Sequence, residues 1–146
     1  MDLKQLYTDM ILEYNRDSRH RHELPQATCS EHGHNPSCGD DITLHLQVQD
    51  GRIEDLSYTG QGCAISQAST VMMIDLLQGK TLAEAQKLSD LFLRMITRDV
   101  TDETELDSLE DAMILQNISN MPSRVKCAVL AWRTLQAALQ RQERDE

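Results

Sequence analysis

The 146 residues carry 24 acidic against 14 basic side chains, a formal net charge of −10, and no basic stripe, which excludes the phosphate-neutralising footprint of a nucleic-acid binder. Hydrophobic residues make up 40% of the chain but aromatics only 3%, so its core must be aliphatic and rich in Ala and Met, as suits helices better than a large sandwich. The longest uninterrupted apolar runs, Val71 to Ile74 and Cys127 to Trp132, fall far short of a membrane span, and Asp2 and Lys4 with amphipathic spacing do not read as a signal peptide.

A chain of this length is expected to form one domain over residues 1–146, burying roughly 70% of the surface its unfolded form exposes. It reads as soluble and cytoplasmic, and no apolar seam demands more than a monomer. In a reducing compartment, four cysteines point to metal or thiol chemistry rather than to disulfides.

Leu3, Leu6, Tyr7, Met10, Ile11 and Tyr14 follow the spacing of an amphipathic helix over residues 3–16. From Ser18 to Ser37 the chain is polar, contains Pro25, Gly33 and Pro36, and has no periodicity, so it reads as a long loop. Ile42, Leu44, Leu46 and Val48 then alternate with polar residues, the pattern of a half-buried strand. Asp50-Gly51 is a two-residue hairpin turn. The return strand, with Ile53, Leu56 and Tyr58, breaks register once, as at a bulge, and ends at Gly60-Gln61-Gly62-Cys63.

Helical spacing resumes with Ile65, Ala68, Val71, Met72 and Leu76, and Gly79 is placed as a C-cap. Thr81-Leu82-Ala83-Glu84 is a capping box that opens the next helix. Residues 89–117 are mainly helical around an acidic interruption at residues 99–105. Pro122 suits the first turn of a last amphipathic helix through Val125, Ala128, Val129, Trp132, Leu135 and Leu139, with residues 141–146 expected to fray. Helix, hairpin, then a run of helices is an α+β order.

Cys38 and Asp40 stand two residues apart just before the first strand, and in extended chain such side chains share a side. The pair can grip one ion if two further ligands arrive. Cys63, at the strand-to-helix junction, and Cys127, after the Pro122 helix start, are the candidates. The positive end of a helix dipole favours thiolate over thiol. Three thiolates and one carboxylate complete a tetrahedral zinc shell, with Zn–S near ~2.3 Å. Such a shell is anionic overall, and Arg124 and Lys126 lie beside Cys127 to offset part of the charge. The hard carboxylate among soft thiolates makes it, or one thiol, the exchange point.

Taken singly, these residues also have plainer readings. Cys63 and Cys127 read equally as small buried hydrophobes, Asp40 as a turn cap, and Arg124 and Lys126 as solvated first-turn residues. A second grouping, Cys29, His32, His34 and Cys38 in C-x2-H-x-H-x3-C spacing, holds enough ligands for a local zinc loop, with His20 and His22 nearby. Against it, histidines in a polar loop are ordinarily solvated. His45 reads as an exposed or cross-strand residue.

Three stretches carry a resemblance. They are Asn35-Pro36-Ser37-Cys38-Gly39-Asp40, Gly62-Cys63-Ala64-Ile65-Ser66-Gln67-Ala68-Ser69, and the run from Pro122-Ser123-Arg124-Val125-Lys126-Cys127 to Trp132. In this order, with the same elements between them, they resemble the NifU N-terminal/IscU-like family of iron–sulfur assembly proteins, and more narrowly its SufU branch. The resemblance implies a SufE/NifU-like (IscU-like) fold, a small antiparallel sheet packed against several helices. It carries the family's metal site onto Cys38, Asp40, Cys63 and Cys127, holding Zn2+ or, alternatively, iron or a transient [2Fe-2S] cluster.

Scaffold-type members have a histidine immediately before the third cysteine, where this chain has Lys126, and a shorter interval between the second and third cysteines. Both departures favour sulfur transfer over cluster scaffolding. The implied protein is a zinc-dependent sulfurtransferase. It takes persulfide sulfur from a PLP-dependent cysteine desulfurase (SufS-type) onto Cys38, with Arg124 auxiliary, and hands it to a downstream Fe–S assembly scaffold. In the implied mechanism zinc protects the Cys38 thiolate until a histidine of the docked desulfurase releases it. The alternative is a scaffold on which a nascent [2Fe-2S] cluster is built and passed on. Cys29, His32 and His34 match no motif of the family, which counts against the local zinc loop.

Overall fold

The computed structural model describes residues 3–145, with side chains from Lys4 to Gln142. The N-terminal reading at Asp2 and the fraying expected of Glu146 lie outside the described residues. The elements run α1 (Leu3–Arg16), β1 (Cys29–Asn35), β2 (Asp40–Gln49), β3 (Arg52–Gln61), α2 (Ala64–Leu77), α3 (Leu82–Ile96), α4 (Glu103–Leu106), a 3-10 stretch (Asp107–Asn120) and α5 (Pro122–Asp145). The strands form one antiparallel sheet in the order β1-β2-β3. Helices cover one of its faces, and the fold is α+β.

The β2–β3 hairpin follows the sequence pattern closely. Asp50 and Gly51 both take positive φ, 55° and 73°, the backbone of a two-residue turn that matches strand twist. Gln47 pairs with Asp55 and Val48 with Ile53, so Glu54 is the extra residue of a bulge. Ile42, Leu44 and Leu46 with Ile53, Leu56 and Tyr58 are fully buried and make the sheet's contribution to the core.

Two readings of the chain need correcting. The long loop expected from Ser18 to Ser37 contains β1, whose residues pair in full register with β2 from Cys29↔Leu46 to Asn35↔Asp40. Polar residues pass as an edge strand here because α5 packs against its inner face, so closely at Gly33 that no side chain fits there. A Cβ on Gly33 would lie 2.1 Å from Thr134 Oγ1 and 3.3 Å from Leu130 Cδ1. Beyond α3, the helical run expected over residues 89–117 is mostly 3-10 and is kinked at Glu110 (φ 53°, ψ −131°). This chain segment packs beside α3 and α2 through Leu109, Ala112, Leu115 and Ile118.

Helix α2 is the centre of the molecule rather than an amphipathic surface helix. It buries eleven of its fourteen residues against α1, β3, α5 and the 3-10 stretch. Gly79 follows its C-cap with φ 87°, but its N–H goes to the Ile53 carbonyl of β3 and not back to the helix. Trp132 of α5 joins three helices: its Nε1–H donates to Ser69 Oγ at 2.9 Å, and its ring stacks on Phe92 at 4.0 Å. Ser69 in turn donates to the Ala128 carbonyl. Arg141, expected to fray, is anchored to β1 through the Ser30 carbonyl and Glu31. No helix among the described residues is long and apolar enough to cross a membrane.

Candidate metal centre

The β1–β2 turn carries Cys38. Its shape is local: the Asn35 side-chain oxygen accepts the Ser37 N–H, the Asn35 carbonyl accepts the Cys38 N–H, and Gly39 takes φ 71°. Asp40, the first residue of β2, turns inward and is fully buried. Cys127, in the second turn of α5, is 1% exposed, whereas Cys38 is exposed. Their sulfurs lie 2.8 Å apart.

Cys63 is the N-cap of α2, and its Sγ accepts the Ser66 N–H at 3.4 Å. Its backbone N–H donates to Asp40 Oδ1 at 2.8 Å, so β2 and the start of α2 are tied together at this point. The approach is tight, since a Cβ on Gly62 would sit 3.0 Å from both Asp40 Oδ1 and Ser66 Oγ.

The donor atoms of Cys38, Asp40 and Cys127 all lie within 4.8 Å of one another, a grouping that can hold a metal ion. Cys63 adjoins this group without being one of the three. Asp40 Oδ2 is buried and has no hydrogen-bond partner among the described residues. Leaving such an acceptor dry and unpaired costs about 1–3 kcal/mol or more, and a cation beside it removes that cost. Two soft sulfurs with one hard oxygen, and a third thiol alongside, suit zinc. The residues present therefore fit the zinc that the resemblance implies, and the same thiols can also ligate iron.

Electrostatics within the group point the same way. Burial pushes the Cys127 thiol well above the ordinary thiol range, and the hydrogen bonds with Cys38 and Cys63 and the charges of Cys63 and Asp40 push it further. The expectation that a helix start favours thiolate thus fails for Cys127 in the chain by itself. It lies beyond the first turn, where the dipole has faded, and desolvation wins. Arg124 is exposed, and its charge acts on the half-buried Tyr7 phenol of α1, partly offsetting the rise that burial imposes there. Lys126 is exposed.

The local zinc loop does not form. On β1, Cys29 and Gly33 face α5 while His32 and His34 face outward, so Cys29 and the histidines stand on opposite sides of the sheet. His45 is cross-strand, as one reading had it, but buried, held between Ser30 Oγ at 3.0 Å and Thr59 Oγ1 at 2.9 Å.

Two residues beside the centre escaped the sequence reading of roles. Asn35 pairs directly with Asp40 across the strands, and its Nδ2 is buried with no partner among the described residues; the same holds for Ser66 Oγ. The signal was their place inside the quoted motifs, each within three residues of a cysteine.

An antiparallel sheet backed by helices, with thiols and a carboxylate converging from a hairpin turn and two helix starts, has close relatives. The chain belongs to the family described as the NifU-like N terminal domain, whose pattern matches residues 6–146. It is 39% identical over 141 residues to the iron-sulfur cluster assembly scaffold protein IscU of Thermotoga maritima, covering 97% of both chains. To the zinc-dependent sulfurtransferase SufU of Bacillus subtilis it is 32% identical over 143 residues, 97% of this chain and 95% of the relative. The crystal structure of an iron-sulfur cluster assembly scaffold protein for the SUF system, FiSufU from Fervidobacterium islandicum AW-1, superposes with a TM-score of 0.86 at 36% identity. That match covers 92% of this chain and 97% of the other.

Proposed function

We propose that this chain, as one domain over residues 1–146, is an iron–sulfur cluster assembly protein that accepts persulfide sulfur on Cys38 from a PLP-dependent cysteine desulfurase and carries it to a downstream scaffold. Family membership and the relatives' described roles support the general function. The observation that carries the sulfur-transfer reading is the asymmetry of the thiol pair: Cys38 is exposed on a turn, while Cys127, 2.8 Å away, is buried. A carrier needs one thiol that a partner protein can reach and an anchored set that holds it when idle. Lys126 in place of the scaffold histidine supports the same reading.

Cys38, Asp40, Cys63 and Cys127 would hold Zn2+, which when bound keeps its thiol ligands ionised at neutral pH. Asp40, fixed by the Cys63 N–H, presents its second oxygen to the site. Cys38, as thiolate, attacks the outer sulfur of the desulfurase's cysteine persulfide. A new S–S bond forms on Cys38, the partner's S–S bond breaks, and the partner's cysteine leaves as thiolate. Arg124, exposed on the first turn of α5, is placed to meet the anionic sulfur or the docked partner.

The test is desulfurase turnover in the presence of the zinc-loaded chain. Wild type should stimulate turnover and Cys38→Ala should not; equal stimulation by the two would overturn sulfur acceptance at Cys38. The scaffold reading, in which the same thiols ligate the iron of a nascent cluster as cargo, is favoured by the higher identity to the Thermotoga relative. Metal analysis separates the two. Iron with visible charge-transfer absorption, and no zinc, would support the scaffold.

A further inference from the structure

His32 and His34 take no part in the chemistry proposed above. They stand two residues apart on β1, on the face turned away from α5, where a rise of about 3.3 Å per residue puts their bases roughly 6.6 Å apart. Their rings are stacked, with centroids 6.3 Å apart and planes inclined by 21°. Asp41 lies on the same outer face, directly across the strand pair from His34, and its Oδ1 reaches diagonally to His32 Nε2 at 2.7 Å. All three side chains are exposed, with 57% of His32 and 53% of Asp41 open to solvent. The remaining histidines have other engagements: His20 with Asp75, His22 with the Glu23 carbonyl, and His45 with Ser30 and Thr59.

We propose that His32, His34 and Asp41 form a second metal site, for a divalent late transition ion such as Zn2+, on the outer face of the β1–β2 hairpin. Two imidazoles and a carboxylate are donors these ions take readily, and three protein ligands leave a position for water. The ion takes the place of the hydrogen bond that now joins His32 and Asp41. With metal–ligand bonds near 2.0–2.1 Å, that needs the N···O separation to widen to about 3.3 Å. His34 completes the set by turning about its own side-chain torsions, which an exposed ring does on a ps–ns timescale. Because consecutive strand residues point to opposite faces, Asp40 and Asp41 would serve two different ions across the thickness of one strand.

This inference is independent of the sulfur-transfer reading, and its test keeps the two apart. Zinc is titrated calorimetrically into the full chain already carrying one equivalent, and cobalt(II) is used in parallel as a spectroscopic probe. A second, weaker zinc equivalent is expected, and it should weaken by roughly tenfold or more in His34→Ala and again in His32→Ala. The corresponding cobalt should add ligand-field absorption without further sulfur-to-cobalt charge transfer, whichever site fills first. Circular dichroism on each variant checks that the exposed substitutions leave the fold intact. The proposal fails if no second equivalent binds, if the His32→Ala/His34→Ala double variant retains it at full affinity, or if both cobalt equivalents bring sulfur charge transfer.

Discussion

Helices α2 and α3 begin with the same geometry and opposite priorities. In each, the N-cap side chain accepts the backbone N–H three residues on: Thr81 Oγ1 from Glu84 at 3.1 Å, and Cys63 Sγ from Ser66 at 3.4 Å. At α3 the bargain is reciprocal, because Glu84 Oε1 accepts the Thr81 N–H. At α2 the third residue is Ser66, whose hydroxyl is buried with no partner among the described residues, and the Cys63 N–H goes instead to Asp40 on β2. Sulfur is a weak acceptor, and cysteine is not among the preferred caps. One start is closed within itself for stability. The other leaves acceptors and donors open beside three thiols, which is what a site that must bind something looks like before it does so.

The sharpest way to break this contrast is Asp40→Asn. The substitution keeps an oxygen for the Cys63 N–H but removes the buried charge. Zinc affinity, measured by competition with a chelator, is expected to fall by roughly tenfold to a hundredfold or more. The stability of the zinc-free chain should move by no more than about 1 kcal/mol, because the lost charge was itself poorly satisfied. A loss of several kcal/mol with zinc affinity intact would make Asp40 a structural clamp and nothing else.

Cys63→Ser sharpens the comparison from the other side. Serine is a strong cap, so the zinc-free chain is expected to hold or gain up to about 1 kcal/mol in urea unfolding, while zinc affinity falls. Thr81→Ala should do the reverse. It costs about 1 kcal/mol, a drop of roughly 2–5 °C in Tm for a chain this long, with zinc affinity unchanged.

The smallest effect concerns acid. The hydrogen bonds from Thr81 lower the pKa of Glu84. A carboxyl depressed in the folded state adds stability above its unfolded pKa and loses it as pH falls through the folded one. Wild type should therefore shed this contribution below roughly pH 4, and Thr81→Ala should show a shallower loss across the same window. Thermal melts at pH 3 and pH 6 on both proteins would read the difference.

How far the fold could be read in advance depended on whether local pattern or tertiary contact decided each element. Asp50-Gly51, the bulge at Glu54, the Thr81 box and the Pro122 start are local chemistry, and all are where the sequence predicts them. Strand β1 is not local. Its inner positions, Cys29, Glu31, Gly33 and Asn35, have no hydrophobic contrast with its outer ones, and only the close approach of α5 makes Gly33 a strand residue rather than a loop residue. The same strand decided the fate of the histidines, since a pairing register separates Cys29 from His32 where a flexible loop would have let them meet. At the candidate centre, the donor atoms of Cys38, Asp40 and Cys127 lie within 4.8 Å of one another, a meeting that the long intervals between the cysteines do not announce. Cys63 is drawn in partly by its backbone, through a hydrogen bond to Asp40 that no residue pattern announces.

Gly39 leaves one consequence. Its φ of 71° is the left-handed conformation, and a Cβ placed there would meet nothing within 4 Å. The backbone that aims Cys38 toward Cys127 thus passes through a left-handed glycine with open space beside it, like the zero of a soft spring. An alanine at 39 would strain that torsion by about 1 kcal/mol without touching another atom. That is a change of about fivefold in any equilibrium that depends on this torsion, reached without altering a single donor atom of the centre.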